Sequence, residues 1–416
     1  MDMSDNVIDL TLTSNNLKFI KDVIVNEKIN EDTGEIIYDQ RVVIKLLNTK
    51  NGRARIHRYT EFLNQWRNNK TKTAVNHADR IVPFLNYLYF ELNKIELPSI
   101  KDLTWEIGAA FLERCGEKAS KAQVDLYEAT ISRFYYFLAK KHMLKNISVN
   151  DFVFVEKHNR VVMLSPFNGK YKSPAPNTNK DLHHLEQELI FTFLETGLMV
   201  EPRIALGLYF QLFGGLRISE VVSLEYENIS FKGANGINGM VLNITNKYLR
   251  TDIKTGSINQ PKKAREQGVI SVGDMLPKLY TNHKKIYQSA DTNALFIDNN
   301  GNPMTQGTYR RSFNKVKNTF IERLKTDENP KFKVYSTFLN AQHWSTHIGR
   351  GIFSNMIANV ANNVLEVMTW RNDSSPNSSA TYLSDGKAVE AKVIAVMEKM
   401  YNSSLKGKLD SYMFRG

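Results

Sequence analysis

Gly214-Gly215-Leu216-Arg217-Ile218-Ser219-Glu220 stands near the middle of a 416-residue chain, and two later strings answer it. They are Thr346-His347-Ile348-Gly349-Arg350-Gly351 and Ser379-Ala380-Thr381-Tyr382-Leu383. The first string follows a mostly apolar helical run, Arg203–Phe213, which the glycine pair ends. Arg217 then opens a helix with Ile218, Val221, Val222 and Leu224 on its apolar side. Glu220 lies one turn on and can hold the Arg217 guanidinium. Taken alone, the string describes a buried Arg–Glu pair. In the second string His347 and Arg350 are three apart, so a helix or tight turn puts both on one face. Ile352 to Ala358 continues with the apolar spacing of a helix packed into a core. Tyr382 is one of 18 tyrosines, and its place after the polar turn Ser374-Ser375-Pro376-Asn377-Ser378-Ser379 is what singles it out.

These residue types fit phosphoryl transfer. That chemistry needs positive charge on the non-bridging oxygens, a nucleophile, and an acid for the leaving oxygen. Guanidinium stays charged, and its planar fork can bond two phosphate oxygens at once. A phenol, with a pKa of about 10, needs cationic neighbours or a base before it attacks at neutral pH.

The order Arg…His-x-x-Arg…Tyr resembles the catalytic domain of the tyrosine site-specific recombinases and integrases. Tyr382 follows Arg350 by 32 residues, the spacing usual in that family. The resemblance covers about residues 55–390 and is strongest at 212–226 and 346–383. It implies that Arg217 and Arg350 clamp the scissile phosphate. His347 would donate to that phosphate or help take the tyrosine proton. Tyr382 would attack to give a 3′-phosphotyrosyl intermediate, resolved by a 5′-hydroxyl through a Holliday junction. The covalent bond conserves the energy of the broken one, so no cofactor, ATP or metal is expected. The family's leaving-group acid is a lysine on a β-hairpin. Here Lys262, in Gln260-Pro261-Lys262-Lys263-Ala264-Arg265, is the first choice, Lys247 is its rival, and Lys254 and Lys263 stay open. The chain departs from the family at Asp373, 23 residues after Arg350, where His or Trp is usual. Either Asp373 is paired, with Arg371 as one partner, or Trp370 takes the slot; Asp373 could also act as a base toward Tyr382.

Composition agrees with a polyanionic partner. The formal charge is +12, with 42% hydrophobic and 24% charged residues; the pI is about 9.4. Such a surplus favours salt-sensitive binding to nucleic acid. A single cysteine, Cys115, excludes a disulfide framework within the chain and reads as a small core residue. The acidic start Met1-Asp2-Met3-Ser4-Asp5-Asn6 lacks a signal pattern, and no apolar stretch is long enough to span a bilayer. The expectation is a soluble, cytoplasmic protein without membrane partners.

The fold class expected is mostly α with a small β-sheet: a helical core-binding domain and a mixed α/β catalytic domain, forming a C-shaped clamp on DNA. Residues 1–54 read as a β-rich extension, either an accessory DNA-binding module or a structural addition. In it Val23–Val25, Ile36–Tyr38 and Val42–Leu47 are expected as three strands, with a turn at Asn30–Glu35. Residues 55–147 carry four helical patterns, beginning near Tyr59, Ala74, Ile107 and Ala122, and resemble the family's core-binding domain. Residues 148–181, with Pro166, Gly169, Pro174, Pro176 and several lysines, read as a basic linker. Residues 182–416 read as the catalytic domain. It would hold helices at Leu182–Thr196 and Arg203–Phe213, strands at Met240–Ile244 and Gly268–Val272, and helices resuming near Thr308. For a last helix, through Val389, Val393, Val396 and Met400, the resemblance implies docking on a neighbouring protomer, giving a homotetramer on paired sites, with packing on its own domain as the alternative. The partner is double-stranded DNA with a specific core site, with room for an accessory protein. Two other readings stay open: a DNA-binding relative that has lost catalysis, and a DNA-relaxing or hairpin-forming enzyme with the same chemistry.

Overall fold

The computed structural model describes residues 16–29, 34, 36–66, 71–92, 96–157, 160–175, 182–250, 252–253, 260–261, 263–358, 370 and 386–413. The chain divides into two compact units, Met1–Thr178 and Asn179–Gly416.

The first unit opens with an antiparallel sheet, β1 (Leu17–Ile29), β2 (Ile36–Asn48) and β3 (Ala54–Ile56), in that order. The two short segments expected at 36–38 and 42–47 are one strand, because β2 pairs with β1 without a break from Ile36↔Ile29 to Asn48↔Leu17. Asp39, Gln40 and Arg41 look like a break in sequence. They form strand instead, with Asp39 bound by Lys28 at 3.0 Å and by Arg41 at 3.3 Å. Phe19 is buried against His57, Tyr89 and Phe90. The Asn86 side chain pairs with both main-chain groups of Phe19. The sheet is therefore built into the same unit as the helices that follow.

Those helices are α1 (Thr60–Leu63), α2 (Thr71–Asn86), α3 (Trp105–Gly116) and α4 (Lys121–Lys140). Their apolar faces meet in a core of Phe62, Ala78, Ile81, Phe84, Ile131, Phe134 and Leu138. Leu126, read as a core position of α4, is exposed. Burial pushes the Cys115 thiol up to about 11, which suits packing and not nucleophilic attack. The described part of residues 148–175 is folded against these helices, where a linker was expected. It forms the hairpin β4 (Phe154–Lys157) and β5 (Arg160–Met163), and Phe152 and Phe167 are buried. Phe167 packs on Trp105 and Tyr135. Two buried aromatics outweigh the prolines and lysines that mark the stretch as open chain.

The second unit is organised around α6 (Pro202–Gly214), which follows α5 (Gln187–Val200). Every residue of α6 from Ile204 to Gly214 is buried, so the helix is apolar all round and lies in the middle of the core. The two polar side chains of this buried stretch are satisfied there. Tyr209 bonds Ile270 O and Val272 N, and Gln211 bonds Tyr309 and the Thr346 carbonyl. After α7 (Ile218–Val221) come β6 (Ile229–Phe231), β7 (Met240–Ile244) and β8 (Arg265–Val269), an antiparallel sheet in sequence order. The strand expected at 268–272 begins three residues earlier. Ile270 and Val272 have left the sheet, their N–H groups taken by Phe213 O and Tyr209 OH.

Around this core stand α8 (Met275–Tyr287), which the sequence reading passed over, then α9 (Gln306–Thr326), α10 (Pro330–Ala341), α11 (His347–Ala358), α12 (Gly386–Ser404) and α13 (Lys406–Met413). The last two helices pack on their own unit, where docking on a neighbour was expected. Val393, Met397, Tyr401, Leu405, Leu409 and Met413 are buried in its core. Tyr401 donates to Asp274 and Tyr412 to Glu195, each at 2.7 Å. Among the described residues no helix is long and apolar enough to cross a membrane.

Candidate active site

The site begins where α6 ends. Gly215 closes that helix in the left-handed region, φ 66°. A Cβ built on it would stand 2.4 Å from Phe353 of α11, so glycine here meets both a backbone and a packing demand. The chain leaves extended, and Arg217 becomes the N-cap of α7. Glu220 at the third helical position turns back. Its Oε2 accepts the Arg217 main-chain N–H at 2.7 Å and its Oε1 accepts Arg217 Nη1 at 3.1 Å. The carboxylate thereby fixes both the backbone and the guanidinium of Arg217, whose side chain stays 41% exposed.

A second arginine holds the same carboxylate. Arg265, which opens β8, reaches Glu220 Oε1 through Nε at 3.1 Å and Oε2 through Nη2 at 2.9 Å. Burial would push the Glu220 carboxyl up. The hydrogen bonds and charge of Arg265, then the N–H and charge of Arg217, outweigh it and hold the carboxyl below the usual carboxylate range. Arg265 also donates from Nη1 to Gln267 Oε1, and Gln267 Nε2 donates to the Trp370 main-chain oxygen at 2.8 Å. Trp370 packs against the core from outside, and its ring lies next to Gly268.

From the other side comes α11. Gly349 lets this helix approach α6 closely: a Cβ there would meet Gln211 at 2.7 Å. Arg350 is buried, and its Nη1 donates to the Gly215 main-chain oxygen at 2.7 Å. That oxygen lies at the C-terminal end of α6, where unpaired carbonyls and the helix dipole favour a cation. His347 starts α11 three residues earlier and is exposed. The packing of α11 on α6 therefore brings the Arg350 guanidinium to Gly215, two residues before Arg217, with His347 on the same helix as Arg350. Two permanently charged guanidinium groups at one helix end suit an anionic oxygen cluster.

The candidate lysines are divided. Lys247, just beyond β7, bonds both oxygens of Glu225 at 3.1 and 3.0 Å. Lys263 is exposed, just ahead of β8. Lys262 and Lys254 lie outside the described residues, as do Asp373 and Tyr382.

No family model matches this sequence, and no curated protein matches it either. Among solved structures, the Tn1549 transposon integrase in complex with circular intermediate DNA is similar over 82% of this chain and 97% of its own, with TM-score 0.53 and 17% identity. The XerH site-specific recombinase bound to difH is similar over 81% of this chain and 82% of its own, with TM-score 0.50 and 16% identity. A lambda integrase fragment bound to a COC′ core site is similar over 78% of this chain and 95% of its own, with TM-score 0.50 and 11% identity. All three are tyrosine recombinases. The fold is that of the tyrosine recombinases.

Within the tyrosine-recombinase fold, the residues that sequence reasoning passed over are Arg265 and Gln267. Arg265 was visible at the end of the Lys262 string but carried no role there. Its partner Glu220 is 45 residues away, and only the register of β8 brings them together. Burial alternates along β8, with Gln267 and Val269 buried, but Arg265, Glu266 and Gln267 are all polar, so no apolar periodicity in the sequence marks the strand.

Proposed function

We propose that this chain is a tyrosine recombinase that cuts and rejoins DNA at a specific core site. Arg217 and Arg350 bind the non-bridging oxygens of the scissile phosphate, and His347 donates to it or helps accept the phenolic proton. The Tyr382 oxygen forms a bond to phosphorus as the bond to the 5′-oxygen breaks. Lys262 gives that oxygen its proton, with Lys247 the weaker candidate because Glu225 already holds it. The product is a 3′-phosphotyrosyl link and a free 5′-hydroxyl. A 5′-hydroxyl from a partner strand reverses the step, passing through a Holliday junction on paired sites in a homotetramer. Asp373 pairs with Arg371, or Trp370 takes its slot, or Asp373 takes the Tyr382 proton. Acting on DNA, the protein would work in the cytoplasm.

The observation that supports this reading is the bond from Arg350 to the carbonyl of Gly215, the residue two before Arg217 in the sequence pattern. The +12 charge supports a polyanionic partner. The test is incubation with labelled, nicked duplexes from the DNA flanking the protein's own coding region. An SDS-resistant complex with wild type, absent in Tyr382→Phe, is expected. DNA shifted in a gel without such a complex, across all flanking sites, favours a relative that binds DNA and does not cut it.

A further inference from the structure

Arg265 is bonded in two directions at once. Its Nε and Nη2 hold Glu220, and its Nη1 holds Gln267. Glu220 holds Arg217, and Gln267 holds the carbonyl of Trp370, twelve residues ahead of Tyr382 in sequence. The interior members are out of solvent. The Arg265 and Glu220 side chains are 6% and 5% exposed, and Gln267 is 3% exposed. With its Oε1 occupied by the guanidinium, the Gln267 amide has one orientation, and its NH2 faces Trp370. A buried ion pair adds little stability over an apolar pair of the same size, so its value here lies in geometry.

Resting on the function just given, we propose that Arg265 and Gln267 are positioning residues of the cleavage reaction. The relay Arg217–Glu220–Arg265–Gln267–Trp370 sets the first phosphate-binding arginine in register with the stretch of chain leading to the nucleophile. Neither residue touches the phosphate. Each acts through the group it holds, Arg265 through Glu220 on Arg217 and Gln267 through Trp370 on the chain beyond it.

The test compares wild type, Gln267→Met, Arg265→Lys and the double variant on a nicked duplex that wild type cleaves. The readouts are the rate of covalent complex formation at saturating protein, DNA affinity, and thermal melting. Methionine keeps the length and burial of Gln267 and makes none of its bonds, to Arg265, to the Trp370 carbonyl or to the Gly268 carbonyl. Lysine keeps a charge beside Glu220 and loses the planar fork that holds Glu220 and Gln267 in fixed directions. The cleavage rate is expected to fall about tenfold to a hundredfold in each, with DNA affinity held within about twofold, as for a misplaced reacting group. The double variant should fall no further than the worse single, since residues acting as one unit are not additive. A Gln267→Met variant that cleaves at the wild-type rate overturns the relay and leaves the cleavage function standing. So does a double variant whose losses multiply, or a rate loss matched by an equal loss of DNA affinity. Should Gln267→Met fail to fold, the rate of Arg265→Lys decides by the same criterion. A wild type that forms no covalent complex on any flanking DNA overturns the function, and the relay with it.

Discussion

Arg350 donates from Nη1 to the main-chain oxygen of Gly215 at 2.7 Å, across 135 residues of sequence. The bond joins α11 to the end of α6 and gives a buried guanidinium a fixed direction. Arg350→Lys keeps the charge and loses the fork. It should lower covalent complex formation by about a hundredfold or more, the scale of losing one preorganised donor. Its cost to stability should be about 1–3 kcal/mol, because the Gly215 carbonyl loses its partner in a buried place. Quenched single-turnover cleavage and urea denaturation measure the two effects. Cleavage near the wild-type rate would remove Arg350 from the phosphate clamp.

Gly215→Ala tests the turn that aims Arg217. The substitution adds left-handed strain of about 1–2 kcal/mol, and a Cβ 2.4 Å from Phe353 that must push α11 away. We expect a lower urea midpoint and a cleavage defect together. Phe353→Ala in the same chain should relieve the overlap and leave the backbone strain, so stability relative to Phe353→Ala alone should fall by only the smaller term. A double variant with no such relief would place the cost in the backbone alone.

Much of this was legible from sequence because it is local. Arg217 and Glu220 sit at i and i+3, and that spacing alone brings carboxylate and guanidinium together. The glycine pair stops α6 by its own conformational freedom. What could not be read depends on distant packing or on register. The bond from Arg350 to Gly215 exists only because Gly349 lets α11 lie against Gln211. The role of Arg265 was hidden because the apolar run Val269–Val272 looks like the strand, while β8 begins at Arg265. The strand β2 was read as two because Asp39, Gln40 and Arg41 interrupt its apolar residues, and antiparallel pairing with β1 tolerates them. The last helices were assigned to a neighbour by resemblance, and their apolar face turns out to fill their own core.

Acid stability should depend on His283. The ring is buried, donates from Nε2 to the Leu295 carbonyl at 2.8 Å, and has no hydrogen-bond partner at Nδ1 among the described residues. Burial lowers its pKa from 6.5 to about 4. The sign follows from proton counts. Between pH 6.5 and 4 the unfolded chain takes up a proton that the folded ring refuses. Stability is therefore unaffected above 6.5 and is lost as pH falls toward 4. A shift of this size corresponds to roughly 3 kcal/mol at the acid end. Urea midpoints measured from pH 7 to 4 should fall less steeply in His283→Gln, whose amide can still donate to Leu295. Equal slopes in the two proteins would rule out this ring as a source of acid sensitivity.

The C-terminal helices should stabilise the chain that carries them. Glu195 on α5 is 6% exposed. It accepts from Arg323 at 2.9 Å and from Tyr412 on α13 at 2.7 Å, with Lys408 at 3.5 Å. Burial raises its carboxyl, and the bonds from Tyr412 and Arg323 bring it below the ordinary range. Tyr412→Phe removes one of those bonds at constant shape and should cost about 1–3 kcal/mol, the penalty of an under-satisfied buried carboxylate. Deleting residues 405–416 goes further, because Leu405, Leu409 and Met413 leave an apolar surface uncovered. The truncated chain should melt lower than Tyr412→Phe in the absence of DNA and at every protein concentration. That independence of concentration separates packing within one chain from exchange between chains, since a helix lent to a neighbour stabilises only where neighbours are bound. A truncation that leaves melting unchanged in dilute protein, and lowers it only as concentration rises, would return α13 to the role the sequence resemblance gave it.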